Sequence, residues 1–185
     1  MKPARLSSLL SVVLVPLLLS GVVSAQTFPV VAGTMEIQLG AAGVILPENT
    51  NGMVSAQPEL RVGFFVSEGL QLQFVGDARV WPLGTIAPPS YGASAQFLWF
   101  PNLGPQNRNL YVLGGMGGAY SDPLVGDSAF DPLARAGLGF KVPLGDFGLG
   151  FVTRSHLTVE YRAEMIFQDE TDLVSGVAVG ISLFR

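Results

Sequence analysis

Residues 151 to 167, FVTRSHLTVEYRAEMIF, alternate polar and apolar side chains along nearly their whole length. His156, Thr158, Glu160, Arg162 and Glu164 fall on one face of an extended chain, and Leu157, Val159, Tyr161, Ala163 and Met165 on the other. A period of two marks a β-strand, because successive side chains leave opposite faces of a sheet. A strand this long exceeds the ordinary globular length. One ionisable face opposite one apolar face suits a wall with lipid outside and a polar lumen inside. The segment predicts an all-β chain, an eight-stranded antiparallel up-and-down transmembrane β-barrel.

The N-terminus carries the address such a barrel requires. Lys2 and Arg5 form a positive region, Leu6 to Val23 an apolar run, and Val23-Ser24-Ala25 a small-residue cleavage site, so residues 1–25 read as a cleavable signal peptide and 26–185 as one barrel domain. Pro16 and the modest length of the apolar run argue against a retained anchor. Without Lys2 and Arg5, ten basic residues become eight against fourteen acidic ones, which excludes nucleic acid as an expected partner. There is no cysteine, hence no disulfide framework and no thiolate site. The chain is 49% hydrophobic and 13% charged, yet no stretch after the signal approaches the length of a membrane-spanning helix.

Alternation and turn residues divide the mature chain into strands expected near 34–46, 58–67, 70–82, 91–100, 109–120, 132–144, 150–167 and 173–184. The even count lets an antiparallel sheet close with both ends on one side of a membrane, and closure removes unpaired backbone groups from lipid. The connections at 67–69, 101–108 and 145–148 are then the periplasmic turns, and the acidic connections holding Glu48, Asp122, Asp127, Asp131, Asp169, Glu170 and Asp172 the outer loops. Aromatic residues gather near strand ends. Trp99, Phe100 and Tyr111, with Phe65 and Phe184, fall toward the periplasmic side, and Trp81, Tyr91, Tyr120 and Phe167 toward the outer side, as two interfacial girdles would.

The segments LARAGLGFKVPL (133–144), LTVEYRAEMIF (157–167) and LVSGVAVGISLFR (173–185) resemble the small eight-stranded outer-membrane barrels of the OmpA, OmpX and OmpW type. The resemblance implies an outer-membrane location, lipid as surroundings, and a final strand read by the barrel-assembly machinery. Val177, Val179, Ile181 and Leu183 match the alternation of that terminal signal, with Phe184 as its aromatic. The chain departs from the pattern in ending on Arg185.

Strand parity places Glu36, Glu59, Asp77, Glu160 and Glu164 in the lumen with Arg61, Arg79, Arg135, Lys141, Arg154, Arg162 and His156. An eight-stranded barrel is just wide enough for its own side chains, so these charges are expected to form a salt-bridged core instead of an aqueous pore. Gly63, Gly115, Gly117, Gly137 and Gly139 would leave room for the long side chains opposite. Opposite charges are favoured in cross-strand pairs, which predicts Glu59 opposite Arg79 and Arg61 opposite Asp77. The four side chains are expected as one cluster in the outer half of the lumen.

Other chemistries are poorly served. His156 invites a hydrolase reading, but it sits near the periplasmic start of its strand, with no serine at the spacing such enzymes use. One histidine without cysteine lacks a metal-ligand set, and YVLGGMGGAY (111–120) lacks the Lys-Ser/Thr of a phosphate loop. No cofactor is expected. The expected function is that of a non-catalytic, monomeric integral outer-membrane barrel. A narrow channel for ions or small hydrophobic molecules is the alternative, ahead of an adhesin or a lipid-modifying enzyme.

Overall fold

The computed structural model describes residues 31–45, 54–80, 90–101, 109–121, 129–144, 155–167 and 171–185. Eight strands follow one another: β1 (Met35–Ile45), β2 (Val54–Ser67), β3 (Leu70–Arg79), β4 (Ser90–Trp99), β5 (Leu110–Ser121), β6 (Ala129–Pro143), β7 (Ser155–Ile166) and β8 (Asp172–Phe184). Each pairs antiparallel with its neighbour in sequence, and β8 returns to pair with β1 from Glu36↔Phe184 to Ile45↔Ser175, closing the barrel. The predicted fold class is the observed one.

Two strands expected to open at Pro58 and Pro132 begin earlier in the structure. β2 begins at Val54, with Pro58 inside it, opposite Ala41 of β1. The missing N–H of Pro58 leaves a gap in the β2–β3 ladder between Glu59↔Asp77 and the isolated bridge Ala56↔Val80, and the register is the same on both sides, so the strand continues past the lost bond. Likewise Pro132 pairs with Gly118 of β5, just beyond the point where the β6–β7 ladder ends at Leu133↔Ile166. β7 is described from Ser155, and its expected start near residue 150 lies outside the described residues.

Alternation sorts the side chains as the period of two requires. Even positions of β1, β4, β7 and β8 and odd positions of β2, β3, β5 and β6 point inward. β7 alternates buried polar residues with half-exposed apolar ones over nearly its whole length. The outward face carries large apolar side chains left open, among them Leu39 at 65%, Phe97 at 55% and Ile181 at 51%. The buried interior holds Glu, Arg, Gln and Lys. This inverts the ordinary globular distribution, in which charged residues are almost never fully buried unless paired.

The register of the β2–β3 hairpin corrects the sequence-based expectation. Glu59 lies opposite Asp77 and Arg61 opposite Val75, two residues tighter than predicted. The pairing follows from a two-residue connection, Glu68-Gly69, with a bulge between Phe65 and Ser67. Like charges are tolerated at this position because each carboxylate is neutralised from elsewhere in the lumen.

Candidate functional site in the lumen

The middle of the lumen is organised by two guanidinium groups. Arg61 donates from Nε and Nη2 to Glu59 Oε2 at 2.9 and 2.6 Å, and from Nη1 and Nη2 to Glu160 Oε2 and Oε1 at 2.8 and 3.1 Å. The second pair is a fork-to-fork contact, which suits the planar guanidinium. Tyr111 donates its hydroxyl to Glu160 Oε2 at 2.8 Å. Arg162 joins Glu59 through a close ion pair, reaches Glu164 at 3.1 Å and donates to Gln57 Oε1 at 3.0 Å. These side chains arrive together because β2 and β7 face each other across the barrel.

Toward the end of the barrel away from Met35 and Phe184, the outer end in the orientation expected from sequence, Arg135 takes over. It donates to Asp77 Oδ2 at 2.6 Å and to Ser94 Oγ at 2.9 Å, and pairs with Glu164 at 3.0 Å. Arg79 donates to Glu164 at 3.1 Å, and Gln57 Nε2 donates to Asp77 Oδ1 at 2.7 Å. Asp77 is thus held by Arg135 and Gln57, and Glu59 by Arg61 and Arg162. The four residues expected as one cluster divide between the middle and outer tiers.

At the inner end Lys141 donates to Glu36 Oε2, with Gln71 Oε1 at 3.4 Å, and Gln71 Nε2 donates to the same carboxylate oxygen at 2.5 Å. Around the ammonium stand the rings of Phe65, Phe100, Tyr111 and Phe184, with centroids 5.5 to 5.9 Å from Nζ. Apolar packing therefore borders the ionic core on both sides. Leu98, Leu113 and these aromatics lie below it, and Leu133, Ile166, Val174, Ala42 and Ala178 lie at the outer end.

No family model matches the sequence, and no curated protein matches it. Solved structures do resemble its fold. Neisserial surface protein A is 15% identical with a TM-score of 0.53, over 82% of this chain and 98% of that one. The N-terminal β-barrel domain of OprF from Pseudomonas aeruginosa gives 11% and 0.49 over 82% and 98%. Ail, the attachment invasion locus protein of Yersinia pestis, gives 14% and 0.49 over 83% and 99%. The chain has the fold of the small eight-stranded outer-membrane barrels. At these identities the likeness is one of fold.

Within this barrel, the structure places Glu36, Glu59, Arg61, Asp77, Arg79, Arg135, Lys141, His156, Glu160, Arg162 and Glu164 on the lumen side. Arg154, read from sequence as a lumen charge, and Trp81, read as an outer-girdle residue, lie outside the described residues. Tyr91, Trp99, Tyr120 and Phe167 are exposed on the outside of the wall. Tyr111 and Phe100 correct the girdle expectation: Tyr111 is fully buried in the lumen, and Phe100 packs against it at 5.4 Å between centroids. Phe65 and Phe184 are also turned inward, 6.2 Å apart. Alternation turns these side chains inward, and there the buried ammonium gives their rings a partner that lipid does not. Val177, Val179, Ile181 and Leu183 face outward, whereas Phe184 occupies the opposite parity.

The buried amides Gln38, Gln57, Gln71, Gln73 and Gln96 were not singled out from sequence. Their signal was parity, since Gln57, Gln71 and Gln73 share odd numbering with Glu59, Arg61 and Asp77 on the same two strands. His156 is buried with its ring edge-on to Phe184 at 4.7 Å. Ser182 stands opposite it on β8, but that hydroxyl is fully buried and engages Thr158 at 3.1 Å and Gln38 at 3.4 Å. Among the described residues no group of His, Asp and Glu is arranged to hold a metal ion.

Proposed function

We propose that this protein is a non-catalytic integral outer-membrane barrel whose lumen is closed by its own side chains, with a role in the structure and integrity of the membrane. The observation that carries the reading is the charge pairing. Glu36, Glu59, Asp77, Glu160 and Glu164 meet Lys141, Arg61, Arg162, Arg135 and Arg79 in the ion pairs described above, and this ionic core is bordered by apolar clusters on both sides. An ion entering such a core would have to displace a charge from a carboxylate or guanidinium already removed from water, and an unpaired charge left there is costly.

The outward band of open Leu, Ile, Val and Phe supports lipid as its surroundings. The signal-like N-terminus supports export, and the outward strip of β8 supports recognition by the barrel-assembly machinery. A closed barrel satisfies its own strand edges and needs no second copy, which supports a monomer. The test is conductance of the refolded protein in planar bilayers. A closed lumen predicts no steady current. Regular stepwise openings would refute it in favour of a narrow channel.

A further inference from the structure

Lys141 is the only lysine after the signal-like segment; every other basic residue of the mature chain is arginine. The difference tracks the partners. The described lumenal arginines all engage carboxylates, and Arg61, Arg135 and Arg162 each reach two or more, as the several donors of a guanidinium allow. Lysine stands where one carboxylate and four aromatic rings converge. A compact ammonium suits that environment, because three N–H groups and a spherical charge can face oxygen on one side and ring faces on the others.

The layer draws on the whole circumference. β1 supplies Glu36, β2 Phe65, β3 Gln71, β5 Tyr111, β6 Lys141 and β8 Phe184. Phe100 follows directly after β4, and His156 of β7 backs Phe184. The rings also brace one another, Phe65 standing 5.6 Å from Phe100 and Phe100 5.4 Å from Tyr111, so their positions do not depend on Lys141 alone. We propose that this layer is an ammonium-binding cage at the inner end of the barrel, filled in the native protein by the tethered head of Lys141, and that its ligand class is the primary alkylammonium ion. The inference deepens the closed-lumen reading and rests on it for one point only: the cage is where the chain supplies its own cation to the inner seal.

The experiment is rescue of Lys141→Gly, refolded as the whole mature barrel in detergent micelles, by n-butylammonium chloride, which has the four carbons and the ammonium that the substitution removes. The substitution leaves Glu36 buried without its cation and lowers the denaturation midpoint by roughly 10 °C. Added n-butylammonium recovers roughly half of that loss or more, along a saturating curve, as a ligand that binds only the folded state must. Sodium chloride and n-butanol at the same concentrations do not. The double variant Glu36→Gln with Lys141→Gly, which carries no stranded charge, gains little from the amine. If the single variant does not fold, refolding yield with and without n-butylammonium becomes the readout, with the same expectation. Equal effects of sodium and n-butylammonium, or equal rescue of the double variant, would overturn the cage. Conductance of the unaltered protein tests the closed lumen separately, so a conducting barrel with a rescuable variant would remove that reading and leave the cage standing.

Discussion

Replacing Arg61 by Met tests whether the lumen is held by charge pairing or merely filled. Arg61 is 1% exposed and makes four charge-assisted hydrogen bonds, two to Glu59 and two to Glu160. Met preserves most of the side-chain volume, so the loss is chiefly electrostatic. Glu59 keeps Arg162, and Glu160 keeps the Tyr111 hydroxyl with Arg162 at 3.7 Å, but the group of two acids and two bases loses one cation. Breaking a buried pair on one side costs about 3–5 kcal/mol, and the remaining contacts place this case near 3 kcal/mol. Adding Glu160→Gln removes the stranded charge and keeps a hydrogen-bonding side chain of the same shape. The double variant is expected to lose only about 1 kcal/mol, about 2 kcal/mol less than Arg61→Met alone, so the coupling between the two sites is at least about 2 kcal/mol once the cost of Glu160→Gln alone is counted. Urea denaturation in lipid vesicles, followed by tryptophan fluorescence, measures both. A double variant less stable than Arg61→Met, or effects of the two single changes that simply add, would refute the paired-charge account of the lumen.

Gly139→Ala builds a Cβ that would meet Tyr111 Cζ and Oη at 2.5 Å, so it should push the ring off Glu160 and cost about 1–3 kcal/mol in the same assay. Gly114→Ala, facing outward with nothing within 4 Å, should change stability by less than about 0.5 kcal/mol, and a comparable loss there would mean the wall is tighter than described. Ile181→Arg on the outward face should cost about 2–4 kcal/mol in vesicles, and near-neutrality would place that face outside lipid. With the acidic connections outward, protease added to intact cells should cut within the connections 46–53, 122–128 or 167–171, and cleavage confined to 101–108 would reverse the orientation.

The eight strands and the faces of their side chains were legible in the sequence because both follow from a period of two, a local property of the chain. His156, Thr158, Glu160, Arg162 and Glu164 could be assigned to one face of β7 with no knowledge of what lay opposite. Strand limits failed where local meaning depends on a neighbour: Pro58 and Pro132 end nothing, since the β2–β3 pairing keeps its register across Pro58 and the Phe167 N–H still donates to the Pro132 carbonyl. The partners of the charges were not legible either. Glu59 and Asp77 stand side by side against the cross-strand rule, because Arg162 and Arg135 reach them from β7 and β6 across a lumen narrow enough for side chains to meet at its axis. Likewise a strand-end position marks Tyr111 and Phe100 as interfacial, although the alternation that sets Gly115 and Gly117 inward on β5 also turns Tyr111 into the lumen; only barrel closure shows the ammonium of Lys141 that the two rings meet there. Alternation is a property of one strand, while neutralisation inside a closed barrel is a property of all eight, so the first can be read along the chain and the second exists only once the sheet has met itself.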